Sequence, residues 1–199
     1  MLAKFSNAQK KVLIEMSFGR LMEWKVDSIP TILPYWILEN FNAVASTLKL
    51  NEYSVRVVAD DVETYLGFSR GPKKTDLQKC KKDEELQQEF RAQFGGSFSK
   101  ASNKTLADML KVSEATDEWF KRNMVVLICS TVIESTSNGQ INTKILDVLR
   151  DTNKIAEYDW CDFVLSVLVE QALPKNKSYF NGPILLLLVS KFNSAYIFI

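Results

Sequence analysis

The chain has no histidine, and only three cysteines and seven glycines among its 199 residues; none of those glycines is set in a phosphate-binding loop. Each shortage removes a chemistry. Without imidazole there is no unperturbed general base titrating near neutral pH, and the commonest ligand for zinc and other transition metals is gone. A cysteine peptidase needs a thiolate activated by histidine, so that mechanism is excluded. Cys80, Cys129 and Cys161 are odd in number and lack the paired spacing of a zinc knuckle or a small disulfide framework, which suits a reducing compartment. An excess of one charge is also missing. Lys and Arg total 25 against 24 Asp and Glu, and a net charge of +1 provides no global field to gather nucleic acid or an anionic membrane.

Long hydrophobic runs are scarce too. Near the N-terminus the longest is Val12 to Ile14, too short for the core of a secretory signal. Near the C-terminus, GPILLLLVSKFNSAYIFI is broken by Lys191, Asn193 and Ser194, where a membrane span requires about 20 apolar residues. Its continuous part, Ile184 to Val189, reads as a buried terminal helix. These points predict a protein inside the cell and off the membrane.

What is present is a core: 46% of the residues are hydrophobic, and a chain of this size hides roughly 70% of its unfolded surface. A short helix is expected over Asn7 to Met16, with Gly19 at its exit or in a turn soon after. A longer one is expected from Ser28 as cap and Pro30 in the first turn, its apolar face carrying Ile29, Leu33, Trp36, Ile37, Phe41, Val44 and Leu48. Leu48, Leu50, Val55 and Val57 alternate around Asn51 and Glu52 and predict a hairpin near residues 47–58. Asp60 and Asp61 then open a helix ended by Gly67, and their carboxylates are read as serving its free amides rather than as an acid–base pair. Arg70 to Asn103 is dense in polar residues and reads as an insert, with one exposed, weakly packed helix through Leu86, Phe90 and Phe94. Beyond it, Thr105 to Val112 is helical, and Asp117 to Ile133 is apolar around most of its circumference, which means burial. A turn at Ser137 to Gly139, a helix over Ile141 to Leu149, and a strongly patterned helix from Asp159 to Leu173, just before Pro174, complete the chain. Trp36, Trp119 and Trp160 lie at helical spacing among Leu, Val and Phe and read as packing rings, not base-stacking platforms; Cys161 beside Trp160 reads as inert. Three segments are expected: an N-terminal helical part over 1–72, a charged insert over 73–104 and a C-terminal helical part over 105–199, together forming one composite domain.

VVADDVETYLGFSRGP, FKRNMVVLICSTVI, ILDVLRDTNKIAEYDWCDFVLSVL and GPILLLLVSKF, in that order and spacing, resemble the helical region of the aminotransferase-like plant mobile domain and of related transposon-derived plant proteins. The match runs from Met16 to Phe192. Longer members of that group carry a SUMO-protease-like cysteine peptidase domain, and the resemblance covers only the helical region. It implies neither a transaminase nor a peptidase, because the lysine Schiff-base environment and the histidine those reactions need are missing. It further implies a gene product cut short after Tyr196, Ile197, Phe198 and Ile199, of doubtful independent stability.

One local charge feature stands out. Arg70, Lys73, Lys74, Lys79, Lys81 and Lys82 face a single acid, Asp76, for a net +5 over residues 70–82. Such a strip reads first as a solvated loop, since charge runs in linkers are common, and otherwise as a surface that holds phosphates by sequence-independent attraction or as a nuclear import signal. The following Asp83, Glu84 and Glu85 partly cancel its field, and no aromatic residues are interleaved with it. The sequence therefore predicts a mainly α, irregular multi-helix bundle with one short hairpin, without cofactor or metal and without catalysis. Its expected work is protein binding as a plant transposon-derived module, with weak nucleic-acid binding through the strip as the alternative.

Overall fold

In the computed structural model, which describes residues 2–24, 29, 31–75, 80–97, 101–136, 139–173 and 180–188, five helices begin in the same way. A short polar side chain just outside the helix accepts a hydrogen bond from the third helical amide, satisfying one of the free donors every helix start exposes. Ser6 does this for α1 (Asn7–Glu15), Asp83 for α4 (Glu84–Ala92), Ser102 for α5 (Asn103–Val112), Asp117 for α6 (Glu118–Ile128) and Asp159 for α7 (Trp160–Ala172). Between α1 and α4 come α2 (Leu33–Asn40), three short strands and α3 (Ala59–Asp61). The protein is mainly helical with one small antiparallel sheet.

The sheet has the order β1 (Phe41–Asn42), β2 (Thr47–Leu50), β3 (Tyr53–Arg56), with Leu48 facing Phe41 on one side and Val55 on the other. The expected hairpin is β2–β3, turning at Asn51 and Glu52, and Asn51 takes the left-handed conformation with φ of 50°. The third strand comes from the expected longer helix, which is a correction. That helix does not continue through Phe41, Val44 and Leu48. It ends at Asn40, whose side-chain amide donates to Trp36 O at 2.8 Å, and Asn42 Oδ1 then accepts the Ala45 amide at 3.0 Å to shape a turn. Val44 is 92% exposed at that turn. Leu48 belongs to the period-two pattern with Leu50, both buried, rather than to the helical one. At the helix start, Pro34 occupies the first turn. Ser28 and Pro30, the expected cap and first-turn proline, lie outside the described residues, as do Ser137, Asn138, Pro174 and the chain from Val189 on.

Smaller differences have local causes. The left-handed exit after α1 is Ser17, with φ of 67°, while Gly19 opens a 3-10 turn over Gly19–Glu23. α3 widens into a π turn over Val62–Leu66 that Gly67 closes at φ of 68°. Asp61 accepts the Val58 amide at 2.7 Å, as expected of an acid serving a helix start, whereas Asp60 is turned to Arg70. The segment expected as a helix over Ile141 to Leu149 is a single 3-10 turn, Lys144–Val148, followed by another, Thr152–Glu157.

One hydrophobic cluster runs through the described chain from Phe5 to Leu187. Trp160 sits in it with no exposed surface, edge-on to Phe18 at 5.2 Å and to Phe163 at 5.9 Å, its indole N–H donating to Ile155 O at 2.8 Å. α6 is buried all round, from Met124 through Cys129, and continues as a π turn over Cys129–Ile133. Residues 184–188 are helical, with Ile184, Leu186 and Leu187 buried, as core packing of this run requires. The helix within the expected insert is the second correction. α4 is not exposed or weakly packed: Leu86, Phe90 and Phe94 are buried, Phe90 with no exposed surface, and Phe90 lies 5.2 Å from Phe94 and 6.5 Å from Trp119. Its Gln87 amide, also buried, donates to Thr143 O at 2.9 Å and Asp147 Oδ1 at 3.0 Å. The polar composition of this segment belongs to the outer face of an amphipathic helix.

Candidate functional site

The basic strip begins in a seam. Residues 68–74 lie against the turn before α7, where the Trp160 amide donates to Ser69 O at 3.0 Å, Gly71 N–H to Tyr158 O at 3.2 Å, Lys73 N–H to Glu157 O at 3.0 Å and Asp159 N–H to Lys73 O at 2.7 Å. The backbone of the strip is thus partly committed to packing. Its side chains are committed as well. Arg70 pairs with Asp60 at 2.8 Å and Glu63 at 3.8 Å, Lys73 with Glu157, Lys74 with Asp162 at 3.1 Å and Lys82 with Glu84 at 2.8 Å. Lys81 is exposed and makes no ion pair to a described residue, and Lys79 lies outside the described residues. The chain thus brings a carboxylate to four of the six cations, and for Arg70, Lys73 and Lys74 it comes from another element, which sequence order does not reveal.

A cleft of about 560 Å3 opens between the starts of α4 and α6, lined by Glu85, Leu86 and Glu89, by Asp117, Glu118, Trp119 and Arg122, and by Arg150. Four carboxylates against two guanidiniums leave its lining at −2. Arg122, whose stem runs into the core, donates to Leu149 O at 3.1 Å, Arg150 O at 2.8 Å and Glu118 Oε2 at 2.7 Å, and its guanidinium carbon stands 5.1 Å from the Trp119 ring centre. This fixes the 149–150 backbone to α6. Arg150 in turn grips Asp83 with two bonds of 2.7 Å and reaches Glu85 at 3.2 Å. The Arg150 guanidinium and the Leu86 amide hold the Asp83 carboxyl below its ordinary value against a smaller opposing effect of burial, and both acids raise the Arg150 value in return. The Glu118–Arg122 pair is readable from its four-residue spacing. Arg150 and Asp83 are far apart in sequence, and nothing in the pattern marks them as partners.

The cysteines are placed for packing. Burial pushes the Cys129 thiol far above its ordinary range and the Cys161 thiol up to about 12, and Cys161 Sγ donates to Phe68 O at 3.3 Å. Neither is a thiolate at neutral pH. Cys80, half-buried, approaches Asp147 O at 3.4 Å. Among the described residues no group of three or more cysteine, aspartate or glutamate side chains is arranged to hold a metal ion, and no helix is long and apolar enough to cross a membrane.

No curated protein and no solved structure matches the chain. A family model does, over residues 1–188, and it spans every described element. The chain belongs to the family described as a domain of unknown function, DUF8566.

Proposed function

We propose that this protein is a non-catalytic interaction module which binds a basic segment of another protein in the cleft between α4 and α6. The observation that carries the reading is the cleft's make-up: an open groove with an indole in its wall, a surplus of carboxylates, and a rim held in place by Arg122 and Arg150. A lysine or arginine side chain entering it meets Glu89 and Glu118 and the field of Asp117, and an aromatic ring adjoins to take a cation or its methylene stem. A phosphate backbone meets repulsion there. Descent from a plant transposon-derived protein, as the resemblance to the plant mobile domain suggests, and action in the nucleus belong to the same proposal.

Binding is tested by titrating a lysine- and arginine-rich peptide while following tryptophan fluorescence and calorimetric heat. The expected result is saturable, salt-weakened binding that falls at least about tenfold in the Glu85→Lys, Glu89→Lys double variant, since two charges are reversed at the groove. Unchanged affinity in a folded double variant overturns the assignment of the cleft.

The alternative is weak, sequence-independent nucleic-acid binding through Arg70, Lys73, Lys74, Lys79, Lys81 and Lys82. The exposure of Lys81, and of the ion pairs of Lys74 and Lys82, favours it: such surface pairs are worth at most about 1 kcal/mol, so phosphates compete with them readily. A gel shift at low salt decides. Retardation lost when Lys73, Lys74, Lys81 and Lys82 become Ala supports the strip, and no retardation removes it.

A further inference from the structure

The small sheet ends in an open edge. β3 (Tyr53–Arg56) has β2 on one side and, among the described residues, no strand on the other. Leu50 faces Tyr53 across the turn, and Val57 N–H donates to Ser46 O at 2.8 Å. Because the bonding groups of a strand alternate in direction, Tyr53, Val55 and Val57 are the residues that bond toward β2, and the N–H and C=O of Ser54 and Arg56 point to the opposite side. Both residues are exposed, and neither finds a hydrogen-bond partner on that side among the described residues. Folded proteins usually blunt such an edge with proline, lysine, a bulge or a covering element. The segment Tyr53–Arg56 contains neither proline nor lysine, and its pairing with β2 runs without a bulge.

The geometry points to a second copy of this chain as the occupant of that edge, the two β3 strands pairing antiparallel about a twofold axis at Ser54. In this register each Ser54 exchanges both of its outward bonds with Ser54 of the second copy. Tyr53, 43% exposed and on the same face as Leu50, comes opposite Val55 of the second copy, in the kind of pair where side chains approach most closely and an aromatic ring suits a β-branched neighbour. Arg56 comes opposite Glu52. Both are exposed, and neither makes an ion pair with a described residue. The twofold axis repeats each contact, so two opposite-charge pairs flank the join. An axis at Val55 loses those charge pairs, and one at Arg56 sets like charges face to face, so charge selects the Ser54 register. Two four-residue edges bury less than the roughly 1,200 Å2 at which stable interfaces begin, so the dimer is weak and forms only as concentration rises. This edge is independent of the acidic cleft, and its failure leaves the protein-binding proposal untouched.

Sedimentation velocity on the whole chain between about 10 and 500 µM is expected to show a mass that climbs from monomer toward dimer. Ser54→Pro removes the outward amide at the axis, at an edge position where a strand tolerates proline, and is expected to weaken association at least about tenfold. Glu52→Arg and Arg56→Glu each set like charges opposite one another twice, and each is expected to weaken association about threefold to tenfold. The double variant restores opposite charges and with them the association, a rescue that altered stability alone does not produce. Both side chains are exposed, so the charge exchange carries the test if Ser54→Pro does not fold. A chain that stays monomeric throughout leaves the edge to a strand of another protein and overturns the proposal. A dimer indifferent to these changes, or one that the double reversal fails to restore, overturns it as well.

Discussion

Thr152 is 3% exposed, and its hydroxyl has no hydrogen-bond partner. It opens the 3-10 turn Thr152–Glu157, where Asp151 rather than Thr152 accepts the Asn153 amide, so the hydroxyl is buried without a capping role. Desolvating an unpaired hydroxyl costs about 1 to 3 kcal/mol, and valine has nearly the same shape without that cost. Thr152→Val is therefore expected to raise stability by about 1 kcal/mol in urea denaturation, and a loss would mean that the hydroxyl is satisfied in solution. Trp160 lies at the other extreme. It is fully enclosed, edge-on to three rings and bonded to Ile155 O, so truncation removes a large buried volume and orphans a carbonyl. Trp160→Ala is expected to cost about 3 to 5 kcal/mol and to leave the protein mostly insoluble. A well-folded variant with altered binding would instead place the ring on a working surface.

At the level of elements, the seam between residues 68–74 and the start of α7 depends on a close approach that only glycine permits. A Cβ on Gly71 would lie 2.0 Å from the Glu157 carbonyl oxygen and 2.8 Å from the Tyr158 nitrogen, which are backbone atoms that cannot swing aside. Gly71→Ala is expected to destabilise by about 2 to 4 kcal/mol, with loss of hydrogen-exchange protection beginning at the Gly71, Lys73 and Trp160 amides. The join between α4 and the 149–150 backbone is electrostatic. The folded protein holds Asp83 below its ordinary value, so this contribution is present above about pH 4 and is lost as the pH falls through the ordinary carboxylate value and then the lowered one. Melting temperatures of the unmodified protein and of Asp83→Asn should differ at neutral pH and converge below about pH 4. A gap that stays constant to low pH would mean that the charge on Asp83 does not carry the difference.

These elements also show what could be read from the chain. The capping of α7 by Asp159 and the all-round burial of α6 follow from a short polar residue before an apolar run and from helical spacing, which are local signals. The end of α2 does not. Phe41 and Leu48 fit helical spacing and strand alternation equally, and the choice is made by Asn40, Asn42 and the pairing of Phe41 with Leu48. The burial of α4 was hidden for another reason, since an amphipathic helix with a charged outer face has the composition of a linker. At the site, the basic residues were visible, but the carboxylates of Asp60, Glu157 and Asp162 that answer them arrive through tertiary folding.

For the molecule as a whole, the decisive feature is that a single apolar cluster joins residues from Phe5 to Leu187, including α4 and both sides of the seam. A core shared in this way should open as one unit. Its cysteines report on that directly. Cys129, in the π turn that continues α6, and Cys161 on α7 are fully enclosed, with burial raising both thiols, whereas Cys80 is half-buried near Asp147. In a disulfide-exchange assay at about pH 8, near the ordinary thiol value, Cys80 should react first. Cys129 and Cys161 should follow much later at one common rate, because each reacts only from the unfolded chain, and both rates should rise with urea along the slope of global unfolding. Cys161 sits directly on the seam, with its backbone amide 3.4 Å from Ser69 O and its sulfur on Phe68 O. Faster labelling of Cys161 than of Cys129, with a smaller urea dependence, would show that the 68–74 segment lifts off before the core melts, and the single-unit description would give way to two.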